Sequence, residues 1–302
     1  MSSAKAILFV LLAAVAALFC AVWVADLAEG KKWRNPNGFN LFVGFITDFF
    51  DTLGIGSYAT TTSLYRLRRT VADEEIPGTL NVGHAIPTIT QAFIYITIVQ
   101  VDMNTLALLI GASVLGAWLG AGIVTRLPRR HIQIGMGIAL LAAVTLILGG
   151  LLDVLPTGGE ATSLDGPRLY TALVGNFCLG ALMMIGIGAY APIMIMVSLL
   201  GMNPKAAFPI MMGSCAFLMP IAGIRFIRSG KYDPRAALGL AIAGTPAVLL
   251  AAFIVKEMSL DVVRWLVVVV VLYAAVSMLW AARIERRELR NREQKNEVEI
   301  ET

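Results

Sequence analysis

Charge is what this chain has least of. Only 15% of its 302 residues are Asp, Glu, Lys or Arg, against 58% apolar. A soluble domain carries about a quarter charged residues and about half apolar ones. The mean hydropathy of +0.77 points the same way. The few charges are also sorted, leaving uncharged runs at 6–25, 79–101, 103–125, 132–152, 169–204, 206–224, 236–255 and 265–282. Each run is about long enough to cross a hydrocarbon core of roughly 30 Å as a helix. The composition therefore predicts an all-α polytopic membrane protein in contact with lipid. Cysteine is scarce as well. Cys20, Cys178 and Cys215 all lie inside apolar runs, so no disulfide framework follows, and each reads as a small packed apolar residue. Zinc-ligand spacing, a Walker motif and a nucleotide fingerprint are all lacking. No cofactor or metal site is expected. The net charge of +4 comes from loops and tail, which argues against a nucleic-acid partner.

The first run, 6–25, is followed by no small-x-small cleavage site and is longer than a usual signal-peptide core, so it reads as a retained helix. The tail, 283–302, mixes six basic and six acidic residues and reads as a solvated cytoplasmic helix end.

Two stretches break the pattern of simple spans. Residues 38–65 carry Asp48 and Asp51 and then GIGSYA at 54–59. Residues 169–204 run for 36 positions without a charge and are broken by GIGAYA at 186–191. Gly-X-Gly interrupts a helix because glycine takes backbone angles that other residues avoid. Interrupted backbone at membrane depth survives only where protein or a watery cavity satisfies it. Each stretch is either a kinked crossing or a hairpin that dips in and returns.

Loop charge chooses between these. If every segment crosses, the 24 basic residues divide ten against fourteen. If the two Gly-X-Gly stretches are re-entrant hairpins, one side collects Lys31, Lys32, Arg34, Arg66, Arg68, Arg69, Arg126, Arg129, Arg130, Arg225, Arg228, Lys231, Arg235 and six residues of the tail. That is nineteen, with five left for the other side. Positive charge marks the cytoplasmic face, so the hairpin arrangement is preferred. It gives an N-terminal helix and basic loop (1–37), a first repeat (38–152), an external acidic loop (153–168), a second repeat (169–282) and the tail (283–302). The hairpins then enter from opposite faces, and the halves form an inverted repeat offset by 132 residues. Secondary transporters are commonly built so, with substrate held near the midplane.

The hairpin tips are the candidate binding site. A new helix is expected to start near Ser57 and near Ala189, and a helix N-terminus offers free N–H groups and partial positive charge to an anion. Gly54, Gly56, Gly186 and Gly188 make the turns. Ser57, Tyr58, Thr60, Thr61 and Tyr190 add hydroxyls. The same glycines would also serve simple close packing.

These motifs resemble those of the TauE/SafE sulfite exporters, also known as toluene-sulfonate uptake permeases, over roughly 39–282. The segment GASVLGAWLGAGIVTRLPRRHIQIGMGIALLAA (111–143) is similar to the family's Gly-spaced helix, basic Leu-Pro loop and following helix, and GKYDPRAALGLAIAG (230–244) to its counterpart in the second half. The family's longer glycine run departs here to Ser57, Tyr58, Ala189 and Tyr190. The resemblance implies a multi-pass permease of the cell membrane that moves a small sulfur-containing anion such as sulfite or a sulfonate.

Other polar residues at membrane depth invite a role. Asp48 and Asp51 share one helix face before the first tip, whereas the second half has Gly180 and Met183 at that offset. Intramembrane carboxylates are costly and mark functional sites. The pair suits proton coupling, or alternatively a paired support for the cavity. His84 suits a proton relay, anion binding or a structural hydrogen bond. Cys215, beside Ser214, falls near the His84 position of the second half, and Asn81 and Asn176 are candidate lining. Gly116 and Gly120 are spaced for helix contact. Seven methionines around the second hairpin, with Cys178 and Cys215, raise a soft-metal or other cation path as an alternative; flexible Met filling irregular gaps is the plainer explanation. An intramembrane enzyme using Asp48 and Asp51 is the remaining alternative, although no second catalytic segment is visible.

Overall fold

The computed structural model describes residues 3–29, 35–72, 74–124, 159–183 and 188–256, with scattered positions in 134–152 and 259–284. The basic loop at 125–131, Gly186 and the tail beyond 284 lie outside the described residues. Among the continuously described residues, ten α-helices follow one another: α1 (Ser3–Glu29), α2 (Gly38–Thr52), α3 (Ser57–Arg68), α4 (Ile76–Gly83), α5 (Ala85–Ile98), α6 (Met103–Val124), α7 (Gly166–Met183), α8 (Tyr190–Leu199), α9 (Ala207–Ser229) and α10 (Pro234–Lys256). The fold is all-helical and that of a membrane protein. Among the described residues, the segments Ser3–Glu29, Pro204–Ser229 and Pro234–Ile254 are long and apolar enough to cross a bilayer, and several shorter apolar helices accompany them.

Local chemistry sets the boundaries. The Asn37 side chain accepts the Asn40 N–H at 2.8 Å and starts α2. Asp233 does the same for α10, accepting the Ala236 N–H at 2.6 Å, with Pro234 in the first turn, where its missing N–H costs nothing. Gly54, at φ 95°, stops α2. Pro192 is tolerated because it lies in the first turn of α8. Between α4 and α5 the chain kinks at His84, which caps both helices and projects from the break.

Helix α9 is the centre of the bundle. Nearly its whole apolar length is buried, and it packs against α1, α4, α5, α6 and α8. The two most extensive pairings are α6 with α7 and α2 with α10. Both are seams of small residues. A methyl added at Gly116 would strike the Phe177 backbone, and one at Gly180 the Ser113 backbone. At the other seam, Gly44 faces the backbone of Gly239 and Leu240. The packing expectation for Gly116 is thus met, since backbones this close leave no room for a side chain. Cys178 departs from expectation. It is exposed on the outer side of α7, while Cys20 is half-buried and Cys215 buried.

The loops gather at two ends. At one end Lys5 donates to the Thr97 carbonyl (3.3 Å), the Asp102 N–H to Thr162 (2.9 Å) and the Asn203 N–H to Ala161 (2.8 Å). Helix α1 runs from there, about 32 Å at 1.5 Å per residue, to Asp26, which accepts the Tyr232 hydroxyl at 2.6 Å. At this second end the Asp233 N–H bonds Thr79 and the Arg235 Nε–H bonds the Asn35 carbonyl. Phe39, at the start of α2, sits 4.5 Å beneath the Arg68 guanidinium at the end of α3. Both outer ends of the α2–α3 pair therefore lie together. Arg168, at the start of α7, likewise stands beside Gly201, just past the end of α8, at the first end.

Candidate functional site

Gly56 and Gly188, the last glycines of the two motifs, face each other deep in the bundle. A methyl placed on Gly56 would stand 3.8 Å from Cβ of Tyr190, and one on Gly188 would stand 3.9 Å from Cβ of Tyr58. Each glycine thus looks onto the tyrosine of the other turn. Between them lies a cavity of about 10 Å³, room for roughly one water. It is lined by Asp51, Gly56, Ser57, Tyr58 and Thr88 from the first half, and by Met183, Gly188, Ala189, Tyr190 and Met219 from the second. Helix α3 begins at Ser57 and α8 at Tyr190, so two helix N-termini open on this space. Neither has a side chain at its own N-cap position to satisfy it, because Gly56 and Ala189 stand there.

A carboxylate from outside the turn does reach the start of α3. Oδ1 of Asp51, in the last turn of α2, accepts the Ser57 N–H at 2.6 Å. Oδ2 accepts from Nε2 of Gln91 at 2.9 Å. The same Gln91 amide donates to the Thr52 hydroxyl at 2.9 Å, and its Oε1 takes the Tyr190 hydroxyl at 3.1 Å. Tyr95 donates to the Thr52 carbonyl at 3.1 Å. This network ties the first turn to the tyrosine of the second.

A second network lies one helical turn away. Asp48 Oδ1 and His84 Nδ1 are 2.8 Å apart, both side chains fully buried, and His84 Nε2 is 3.1 Å from the Thr61 hydroxyl. With Nδ1 donating to Asp48, Nε2 of a neutral ring accepts the Thr61 proton. Asp48 Oδ2 has no partner and rests against Gly244 of α10, where even a methyl would collide with it.

One residue of the cavity wall has a polar group left over, and a nearby thiol is bonded to a thioether. The Tyr58 hydroxyl is buried, lines the cavity and has no hydrogen-bond partner. Cys215 places its sulfur 3.4 Å from that of Met183. In sequence, the 132-residue offset carries Asp51 to Met183 and His84 to the neighbour of Cys215.

The sequence-predicted residues divide accordingly. Gly56, Ser57, Tyr58, Gly188, Ala189 and Tyr190 come together at the cavity with Asp51. Gly54 lies just behind it, against the Met194 methyl. Thr61 and His84 belong to the Asp48 network. Thr60 turns away and bonds Tyr273 at 2.7 Å. Asn81 donates to the Pro77 carbonyl within its own helix. Asn176 and Ser214 bond one another at 3.1 Å, and Asn176 also donates to the Leu109 carbonyl, so this pair staples α6, α7 and α9. Sequence reasoning missed Gln91 and Thr88. Gln91 did carry a signal, as an amide in the middle of the uncharged run 79–101, where a polar side chain needs a partner.

The family model described as Sulfite exporter TauE/SafE matches residues 2–147 and 169–300. No curated protein and no solved structure matches the chain.

Proposed function

This chain belongs to the sulfite exporter TauE/SafE family, a family of membrane transporters, and on that premise we propose that it moves a small sulfur-containing anion, such as sulfite or a sulfonate, across the cytoplasmic membrane. The observation that carries the reading is the buried cavity bounded by Gly56 and Gly188, on which two helix starts open and the unpartnered Tyr58 hydroxyl stands. Its hydrogen-bond donors and partial positive charge, without a buried cation, suit a small oxyanion, for which a space of about one water must widen on binding.

In this reading α2–α3 and α7–α8 are re-entrant hairpins from opposite faces. Residues 38–152 and 169–282 are the two halves of an inverted repeat, and 1–37, 153–168 and 283–302 are the leading helix, external loop and cytoplasmic tail. The neighbouring outer ends of each hairpin support this, as do the matched bounds. Helix α9 (207–229) stands where the 132-residue offset carries α4–α5 (76–98), and α10 (234–256) where it carries α6 (103–124). Asp48 and Asp51 are the two candidate groups for coupling transport to protons.

Cysteine labelling from outside intact cells tests the orientation. Sites beside Lys31, Arg66, Arg129 and Lys231 should stay unlabelled, while one beside Gly158 should react. Labelling beside Arg66 and none beside Gly158 would sink the hairpin arrangement. Uptake into proteoliposomes tests the substrate class. Sulfite, a sulfonate or thiosulfate should accumulate, and non-sulfur carboxylates and metal ions should not.

Tyr58→Phe makes the test residue-specific. The hydroxyl has no protein partner, so its removal should leave the melting temperature unchanged or higher. Losing one hydrogen bond to a charged ligand should nonetheless weaken anion binding by roughly 1.5–3 kcal/mol, about one to two decades. A folded variant with undiminished affinity would remove this hydroxyl from the site.

A further inference from the structure

We infer that the Asp51 carboxylate is a built-in anion holding the substrate's place at the start of α3, so that the transported anion enters the cavity only when Asp51 takes up a proton. This rests on the anion-transport reading above and adds to it the means of coupling.

The surroundings of Asp51 are those of a bound anion. Both of its oxygens meet donors, the Ser57 N–H at 2.6 Å and the Gln91 amide at 2.9 Å. Gln91 is held in that orientation by accepting the Tyr190 hydroxyl at its other end. An ionised carboxylate is acceptor-only and fits two donors. The carboxylate reaches the helix start from the preceding helix, six residues before Ser57, while the N-cap position itself is Gly56. An ordinary cap would come from that position. Here the capping anion stands on a separate element and can leave without unmaking the turn.

What remains for a substrate lies across the same cavity: the start of α8 at Tyr190, with no side-chain cap, and the unpartnered Tyr58 hydroxyl. A second anion there stands within a few ångströms of Asp51. In a buried site two like charges at that range oppose each other strongly. Ionised Asp51 and a bound anion therefore exclude one another. A proton on Asp51 removes the repulsion. The neutral acid has lost its charge and so holds the Ser57 N–H more weakly, yielding that donor to a charged substrate oxygen. One proton then travels with each singly charged anion, and the loaded site carries the same net charge as the empty one.

Other titratable groups face Asp51 from the packed elements. They are Asp48 on α2, His84 between α4 and α5, Tyr58 on α3, Tyr95 on α5, Tyr190 on α8 and Cys215 on α9. Phenols and thiols ordinarily ionise above about pH 8. Asp48 and His84 are bonded to each other. Variants at Asp48 and Asp51 separate the remaining possibilities.

The test is calorimetric binding of methanesulfonate, which stays singly charged across the range, to the purified full-length protein between about pH 5 and 8. The wild type should lose roughly tenfold in affinity per pH unit on the alkaline arm, the slope for one linked proton. Binding should take up one proton, read from buffers of different ionisation enthalpy. Asp51→Asn should bind at every pH with a flat profile and retain counterflow, but lose pH-driven accumulation. Asp48→Asn should keep the slope. A flat wild-type profile, a sloping profile in Asp51→Asn, or a folded Asp51→Asn protein that binds nothing would each overturn this inference while leaving anion transport standing. Failure of the wild type to bind methanesulfonate, sulfite or thiosulfate at pH 5 would overturn the anion reading, and this inference with it.

Discussion

Gly56→Val should abolish anion binding and transport in a protein that still inserts and elutes as a single species. Gly56 sits at φ 86° and ψ 129°, between the end of α2 and the first residue of α3. That backbone region is nearly closed to residues with a Cβ, and more so to β-branched ones. Forcing valine into it costs of order 1–3 kcal/mol, which by itself is roughly 5- to 150-fold in any equilibrium that needs the turn intact. The side chain would also project toward Tyr190, 3.8 Å from the added carbon, and fill a cavity of only about 10 Å³. Turn and space are lost together.

Gly188 provides the contrast. It lines the same cavity and faces Tyr58 at 3.9 Å, but its φ is not in the positive region. Gly188→Ala should therefore keep the turn and give up only a little space. Binding of methanesulfonate by size-exclusion-checked Gly56→Ala, Gly56→Val and Gly188→Ala proteins measures the difference. Gly56→Ala should fall far below Gly188→Ala. Full affinity in a folded Gly56→Val protein would make the turns packing devices and move the site elsewhere.

His84→Ala should be the most destabilising single change in the first half. The imidazole is the partner of Asp48 Oδ1 at 2.8 Å and of the Thr61 hydroxyl at 3.1 Å, and Asp48 Oδ2 already has none. Removing His84 strands a fully buried carboxyl group. Breaking a buried pair from one side costs about 3–5 kcal/mol. A thermal-shift measurement in detergent should show a large fall in melting temperature. The double variant Asp48→Ala, His84→Ala should recover part of it, because the orphaned group is gone. If the double variant is less stable than His84→Ala by the full cost of Asp48→Ala alone, the two side chains are uncoupled and this account of the pair fails.

The two halves differ most where these networks lie. Asp48 and Asp51 have Gly180 and Met183 at the 132-residue offset, and Gln91 has Gly223. Gly180 packs on the Ser113 backbone and Gly223 on the ring of Phe19. At that offset the acids Asp48 and Asp51 thus have no acidic counterpart, and Gly180 and Gly223 serve close helix contact instead. On the proposed reading, coupling would lie on the α2–α5 side, and the other side would contribute the uncapped start of α8 and Tyr190.

The sequence by itself determined the solvent, the helical class and the position of the two turns. Those follow from local properties. An uncharged run of about twenty residues is a span whatever it packs against, and Gly-X-Gly interrupts a helix through backbone freedom alone. The family resemblance rested on such local motifs too, and the match over 2–147 and 169–300 bears it out. Pairwise partnership was decided only by the tertiary structure. Nothing in the spacing of Asp48 and Asp51 says that the first meets His84 and the second caps α3. They are neighbours on one helix face, and their roles differ because α4–α5 kinks at His84 beside one while Ser57 and Gln91 converge on the other. Thr60 and Thr61 are adjacent in sequence yet point to different surroundings, since consecutive helix positions are about 100° apart. Gly56 and Gly188 are identical in motif, but only one needs a left-handed backbone. A hydrogen bond depends on where a second element is brought in three dimensions, and that is set by the packing of the whole bundle.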